Sequence, residues 1–155
     1  MHLDDRGRAR MVDVSDKAET ARQALAHGRV RLRADTVALL RGGTVPKGNA
    51  LEIARIAGVL AAKRTADLIP LCHPLPLTHI NVELTVEDDG VQIRSEVTTV
   101  GKTGVEMEAL TAVSVAALAL YDMIKAIDRE AVISDICLVE KSGGQSGDYH
   151  RANIP

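Results

Sequence analysis

The chain contains no Phe and no Trp, and only two Tyr among its 155 residues. Tyr121 and Tyr149 are therefore the only rings available to stack on a flat heterocycle, and a ligand ring must be held by hydrogen bonds, charge and aliphatic contact. Cysteine is almost as scarce. Cys72 and Cys137 form neither a C-x-x-C pair nor a disulfide framework, which points to a reducing cytoplasm. There is no cationic excess either: a formal net charge of -2 leaves no basic footprint for nucleic acid. No apolar run reaches membrane-spanning length, and the N-terminal residues, with Asp4, Asp5 and several arginines, resemble no signal peptide.

What is present is an aliphatic core. Hydrophobic residues make up 46% and charged residues 26%, enough in this length for one domain spanning 1–155. Its N-terminal segment is expected to be flexible, as is a Ser-Gly-rich tail, Ser142-Gly143-Gly144-Gln145-Ser146-Gly147.

Residues 1–28 are polar and weakly patterned. Met11-Val12-Asp13-Val14 suggests a short strand, and Ser15 or Asp16 ahead of Glu19 offers capping chemistry for a short helix. Arg29-Val30-Arg31-Leu32-Arg33 alternates as a half-buried strand does, and a helical turn follows at 36–40. After a glycine-rich loop, Asn49 with Glu52 three residues on starts a helix to about Lys63 or Arg64. Leu51, Ile53, Ile56, Val59 and Leu60 form its apolar stripe.

A proline-bounded loop over 67–77 leads to two alternating runs about Glu87-Asp88-Asp89-Gly90, a hairpin. A long helix then repeats apolar residues at Leu110, Val113, Ala117, Leu120 and Ile124. Thr111, Leu118, Asp122 and Lys125 fall on another face. A last strand lies near 132–139. Strand, helix, strand, strand, helix, strand is the split β-α-β, ferredoxin-like order: an α+β antiparallel sheet with two main helices on one face. That fold hosts many activities and names none.

Four groups of residues have chemical potential. Lys47 precedes a helix start, where a phosphate would be welcome, although a solvated loop lysine would look the same. Cys72-His73 admits three roles: metal ligands, a nucleophile with its base, or a hydrogen-bonding histidine beside a buried thiol. The third is preferred, because no second Cys/His cluster completes a zinc set and nothing lowers the thiol pKa. Gly101-Lys102-Thr103 imitates the end of a phosphate-binding loop. The full pattern needs Gly at position 96, where Glu96 stands, so only Lys102 is kept as a phosphate contact.

The fourth group is acidic: Glu106 and Glu108 at one end of the long helix, and Asp122 with Lys125 at the other. The Asp122/Lys125 pair is either a surface salt bridge or a proton-transfer pair. Glu108 and Asp122 are separated by about 21 Å of helical rise, so they cannot flank one reacting bond within one chain. They can serve one long pocket or a site shared by two chains.

Met11-Val12-Asp13-Val14-Ser15, ARIAGVLAAKRTADLIPLCHPLPL (54–77), GKTGVEMEALTAVSVAALALYDMIKA (101–126) and KSGGQSGD (141–148) together cover nearly the whole chain. On these motifs it resembles the cyclic pyranopterin monophosphate synthase family, the C proteins of molybdenum cofactor biosynthesis. The resemblance implies a lyase that rearranges 3′,8-cyclo-7,8-dihydro-GTP, the product of a radical S-adenosylmethionine enzyme, and releases pyrophosphate. It implies Asp122, Lys125 and Lys47 as catalytic residues. Leu71, Cys72, His73, Met107 and Glu108 would bind substrate, with Glu106 and Lys63 as lesser candidates. Asn49 stands where the family's Lys-Gly-Asp loop would have Asp, and it caps a helix equally well. No metal or protein-bound cofactor is implied, and whether magnesium accompanies the triphosphate is left open. The family forms hexamers, trimers of dimers, with sites between subunits. Against this stand two other classes: a regulatory domain that binds a nucleotide or anion unchanged, and an oligomerisation domain with no polar pocket at its boundary.

Overall fold

The computed structural model describes residues 2–155. In order, its elements are β1 (Thr20–Arg31), α1 (Ala34–Gly42), α2 (Ala50–Lys63), the single turn α3 (Thr65–Leu68), β2 (Leu77–Glu87), β3 (Gly90–Gly101), α4 (Glu106–Ile124), β4 (Val132–Ser142) and β5 (Tyr149–His150). The strands form one antiparallel sheet in the order β2-β3-β1-β4-β5. Placing β3 between β1 and β2 is the split β-α-β arrangement, so the ferredoxin-like class holds. Helices α2 and α4 pack on each other and on one face of the sheet.

Small residues set the spacing between these layers. Ala24, Ala26 and Val30 of β1 are buried under α4, and a Cβ at Gly28 would collide with Val113. Between the helices, a Cβ at Gly58 would lie 2.9 Å from the Ala112 carbonyl. Val113, Ala117, Leu120 and Ile124 are fully buried, as the spacing of the long helix predicts. Thr111 is buried too, so it does not share the open face of Leu118 and Asp122.

Several expectations change. Residues 11–14 form no strand and 15–19 no helix; Asp13 instead accepts from the backbone and hydroxyl of Ser15 in a local turn. Here the side-chain acceptor stabilises a turn rather than a helix start. The first strand begins nine residues before Arg29, because its buried positions are alanines and a glycine. On α2, the buried residues are Ala50, Ala54, Gly58, Ala61 and Ala62, while Ile53, Ile56 and Leu60 are exposed. The stripe is thus split: Leu51 and Val59 are partly buried against the core, whereas the other three face outward and the small residues pack inward. Finally, α4, at 19 residues and mean hydropathy 1.5, is long and apolar enough to cross a membrane by length and composition. It is the core helix of this fold, with its buried face against the sheet and α2.

Candidate functional site

Each end of α4 organises its own set of polar side chains. At the C-terminal end, Asp122 lies on the exposed face one turn before Lys125, and the Lys125 ammonium meets its Oδ1 at 2.8 Å. The loop between α1 and α2 brings Lys47 to the same residue. Its Nζ donates to the Asp122 carbonyl at 2.9 Å and lies 3.6 Å from Oδ2. Asn49, two residues on, caps α2 by accepting from the Glu52 amide at 3.1 Å, which fixes where the loop ends. Two lysines therefore converge on one carboxylate, Lys125 at Oδ1 and Lys47 at Oδ2. The hydrogen bond from Lys125, then the charges of Lys125 and Lys47, hold the Asp122 carboxyl below its usual range. Reciprocally, Asp122 raises the Lys125 ammonium. The trio is open on its outer side: Asp122 is 60% and Lys125 52% exposed.

The N-terminal end of α4 has a different character. Glu108 is 3% exposed, and burial, helped by nearby Glu106, pushes its carboxyl pKa up. Cys72 Sγ lies 3.8 Å from Glu108 Oε1; burial first, then Glu108, pushes the thiol up. Such a thiol is a poor nucleophile. His73 turns away from Cys72, its Nε2 donating to the Val12 carbonyl at 2.6 Å. The neighbours thus face different partners, and among the described residues no three His, Cys, Asp or Glu side chains gather as metal ligands would. Glu106 pairs with Lys141 of β4 at 2.9 Å. Lys63, in the last turn of α2, lines a cavity of about 110 Å³ with Pro74 and Glu108. Leu71 and Met107 are partly open to solvent at 43% and 37% exposure.

Lys102 ends the hairpin and donates to the Ser15 carbonyl at 2.7 Å. The helix that follows opens with two carboxylates, Glu106 and Glu108. The same end holds cations that the sequence did not single out. Arg22 of β1 donates to the Gly101 and Lys102 carbonyls, and with Lys17, Thr20, Gly144, Gln145 and Ser146 it lines an open cavity of about 600 Å³. The signal for Lys17 was its place two residues beyond Met11-Val12-Asp13-Val14-Ser15, and for Lys141 its place at the head of the 141–148 motif.

The structure sorts these residues into two groups. Lys47, Asp122 and Lys125 are brought together; Cys72, Glu108 and Lys63 are brought together, with His73, Glu106, Met107 and Leu71 on the elements and loop around them. The two groups stay at opposite ends of α4, about 21 Å apart along its axis.

A ferredoxin-like scaffold with exposed ammonium groups on a carboxylate, and with acid, thiol and imidazole groups at a second station, is equipped for proton transfer on an anionic small molecule. The MoaC family model matches residues 11–144, and the chain belongs to that family. It is 63% identical over 150 residues to the cyclic pyranopterin monophosphate synthase of Roseiflexus sp. (strain RS-1), covering 96% of this chain and 95% of that one. It is 59% identical over 152 residues to the enzyme of that name from Heliobacterium modesticaldum, covering 97% and 96%. With the one from Streptomyces griseus it shares 60% over 150 residues, 97% of this chain and 85% of the other.

Proposed function

We propose that this chain makes cyclic pyranopterin monophosphate, the product its relatives are named for. It acts as a lyase on 3′,8-cyclo-7,8-dihydro-GTP and releases pyrophosphate, a step of molybdenum cofactor biosynthesis. The observation that carries the catalytic assignment is the convergence of Lys47 and Lys125 on Asp122. Lys47 is 75 residues away in sequence, so the pairing is made by tertiary structure and not by helix periodicity.

The charge states suggest the division of labour. Asp122 enters ionised and Lys125 protonated, because each favours the other's charged form. An arriving anionic substrate competes with Asp122 for the ammonium groups and loosens the pair, freeing the carboxylate to accept a proton. Rebuilding a purine-derived ring into a pterin needs several proton transfers, and groups that alternate between donor and acceptor supply them. The cyclic phosphate forms when a hydroxyl of the substrate attacks the α-phosphorus. Its proton passes to a base, and the P–O bond to pyrophosphate breaks. Cations stabilise the charge on the departing group. Lys17 and Arg22, beside the glycine-rich 143–147 loop, join Lys63 and Lys102 as groups suited to that arm of the substrate. Magnesium, where it accompanies the triphosphate, enters with the substrate, and no protein-held cofactor is part of the mechanism.

Each complete site takes the Asp122 end of one chain and the Glu108 end of another. The separation along α4 favours this, and so does the outward apolar surface of Ile53, Ile56, Leu60 and Leu118, which oligomer formation would cover. The assembly is a homohexamer, a trimer of dimers. Two partly buried free cysteines suit a reducing cytoplasm.

Incubation of the purified chain with the cyclised nucleotide tests the function. Pyrophosphate and the pterin should appear together, one for one. Return of the nucleotide unchanged would make this a binding module and not an enzyme.

A further inference from the structure

Asp122, Lys125 and Lys47 are all on the surface, so their own packing does not fix their positions. A constellation of this kind depends on buried neighbours to hold it. Asp128, three residues beyond Lys125, is 1% exposed. Its Oδ2 accepts from the Thr36 hydroxyl at 2.9 Å and from the Arg33 amide at 3.0 Å. Thr36 is as deeply buried, and the Arg33 guanidinium donates back to the Ile127 carbonyl. On the α4 side, the Ile127 and Asp128 amides both donate to the Ile124 carbonyl, so Asp128 is tied to the turn that carries Lys125.

Arg33, at the start of α1, makes no side-chain cap of its own. Asp128 therefore holds the start of α1, through the Arg33 amide and the Thr36 hydroxyl, from a position 92 residues beyond Thr36, and a carboxylate at a helix N-terminus is electrostatically favoured. Nine residues of α1 follow, closed by Gly43 in the left-handed conformation, and the next loop returns Lys47 to Asp122. The 33–47 and 122–128 segments are thus joined twice, by the buried Asp128 contact at the root and by the exposed Lys47 contact at the tip.

We infer that Asp128 is a positioning residue: by anchoring α1 to the end of α4 it sets where Lys47 meets Asp122. The turnover readout rests on the function proposed above, whereas the titration of Asp122 does not.

The test is a double-mutant cycle on the full chain. Asp128→Ala should cut the single-turnover rate by about 10–100-fold, the scale of a small misplacement of a catalytic group. Substrate affinity should stay within about threefold. In a Lys47→Ala background the same substitution should cost less than about twofold, because the group it positions is gone. Asp128→Asn retains an oxygen for both contacts and should recover activity to within about threefold of wild type. In a carbon NMR titration, the Asp122 carboxyl should move up toward its ordinary range in Asp128→Ala and in Lys47→Ala, and no further in the double variant. If Asp128→Ala fails to fold, Thr36→Val takes its place, with a smaller loss that also vanishes without Lys47.

Multiplying rate losses in the double variant, or an Asp122 titration unmoved by loss of the Asp128 contact, would overturn the inference. If wild-type chain leaves the nucleotide untouched, the proposed function fails while the titration still decides the role of Asp128.

Discussion

The two ends of α4 handle charge in opposite ways. At the C-terminal end, Asp122 is exposed, ionised and flanked by two ammonium groups. At the N-terminal end, Glu108 is buried and, among the described residues, carries no cation on its carboxylate and has one oxygen without a hydrogen-bond partner. One carboxyl is pushed down by its neighbours and the other is pushed up by its surroundings. Divergent pKa values on two carboxyls are how one site holds both an acceptor and a donor at the same pH. A helix that delivers the two about 21 Å apart can use them together along one long pocket or, as proposed above, where a second chain closes the gap.

Substitution at Asp122 should have the largest effect. Asp122→Asn removes the acceptor and should lower turnover by about 1000-fold, within the range for a lost general acid–base group. The fold should be nearly unaffected, since an exposed ion pair contributes little. Circular dichroism melting alongside the pyrophosphate assay checks both halves. A variant that turns over at the wild-type rate would remove Asp122 from the chemistry.

Glu108→Gln should cost about 100-fold in turnover. Its effect on stability depends on pH, and the sign follows from the raised carboxyl. The folded state holds its proton more tightly than the unfolded chain, so this contribution is fully present below the unfolded pKa. It is lost as pH rises through the folded pKa. Gln carries no such dependence. The variant should match wild type near pH 4 and melt about 2–4 °C higher at pH 8, the shift that about 1 kcal/mol gives in a chain of this size. Equal melting curves at both pH values would show that the Glu108 carboxyl is not raised in the folded protein.

The smallest effect should come from Cys72. Its thiol is pushed up by burial and by Glu108, so Cys72→Ser should lower turnover by less than about tenfold. Wild-type chain should also react slowly with a thiol reagent at pH 7, and faster in Glu108→Gln. A near-complete loss in Cys72→Ser would require a covalent role for the sulfur.

Local chemistry explains which parts of the structure were legible in the sequence. The hairpin was announced by alternation around Glu87-Asp88-Asp89-Gly90, the α2 start by Asn49, and α4 by the spacing of Val113, Ala117, Leu120 and Ile124. The ends of α4, and so the two separated groups, followed from counting residues along a helix. Small residues hid the rest. Ala24, Ala26 and Gly28 in β1 have weak strand preference, but their size admits α4. The same effect divides the α2 stripe, because Gly58 and its alanines pack inward with Leu51 and Val59 while Ile53, Ile56 and Leu60 look outward. Hydrophobic spacing locates an apolar face without saying whether the chain's own core or another chain covers it. The tie from Asp128 to Thr36 spans 92 residues and leaves no local pattern at all.

The shared site is tested most directly by mixing two impaired chains. Asp122→Asn and Glu108→Gln proteins, each strongly impaired alone, are unfolded and refolded together, and pyrophosphate release is measured against the sum of the two separate rates. Mixed assemblies should regain activity, because some interfaces join an intact Asp122 end to an intact Glu108 end. Mixed oligomers that demonstrably form yet do not exceed that sum would contradict this, and would place a complete site within each chain.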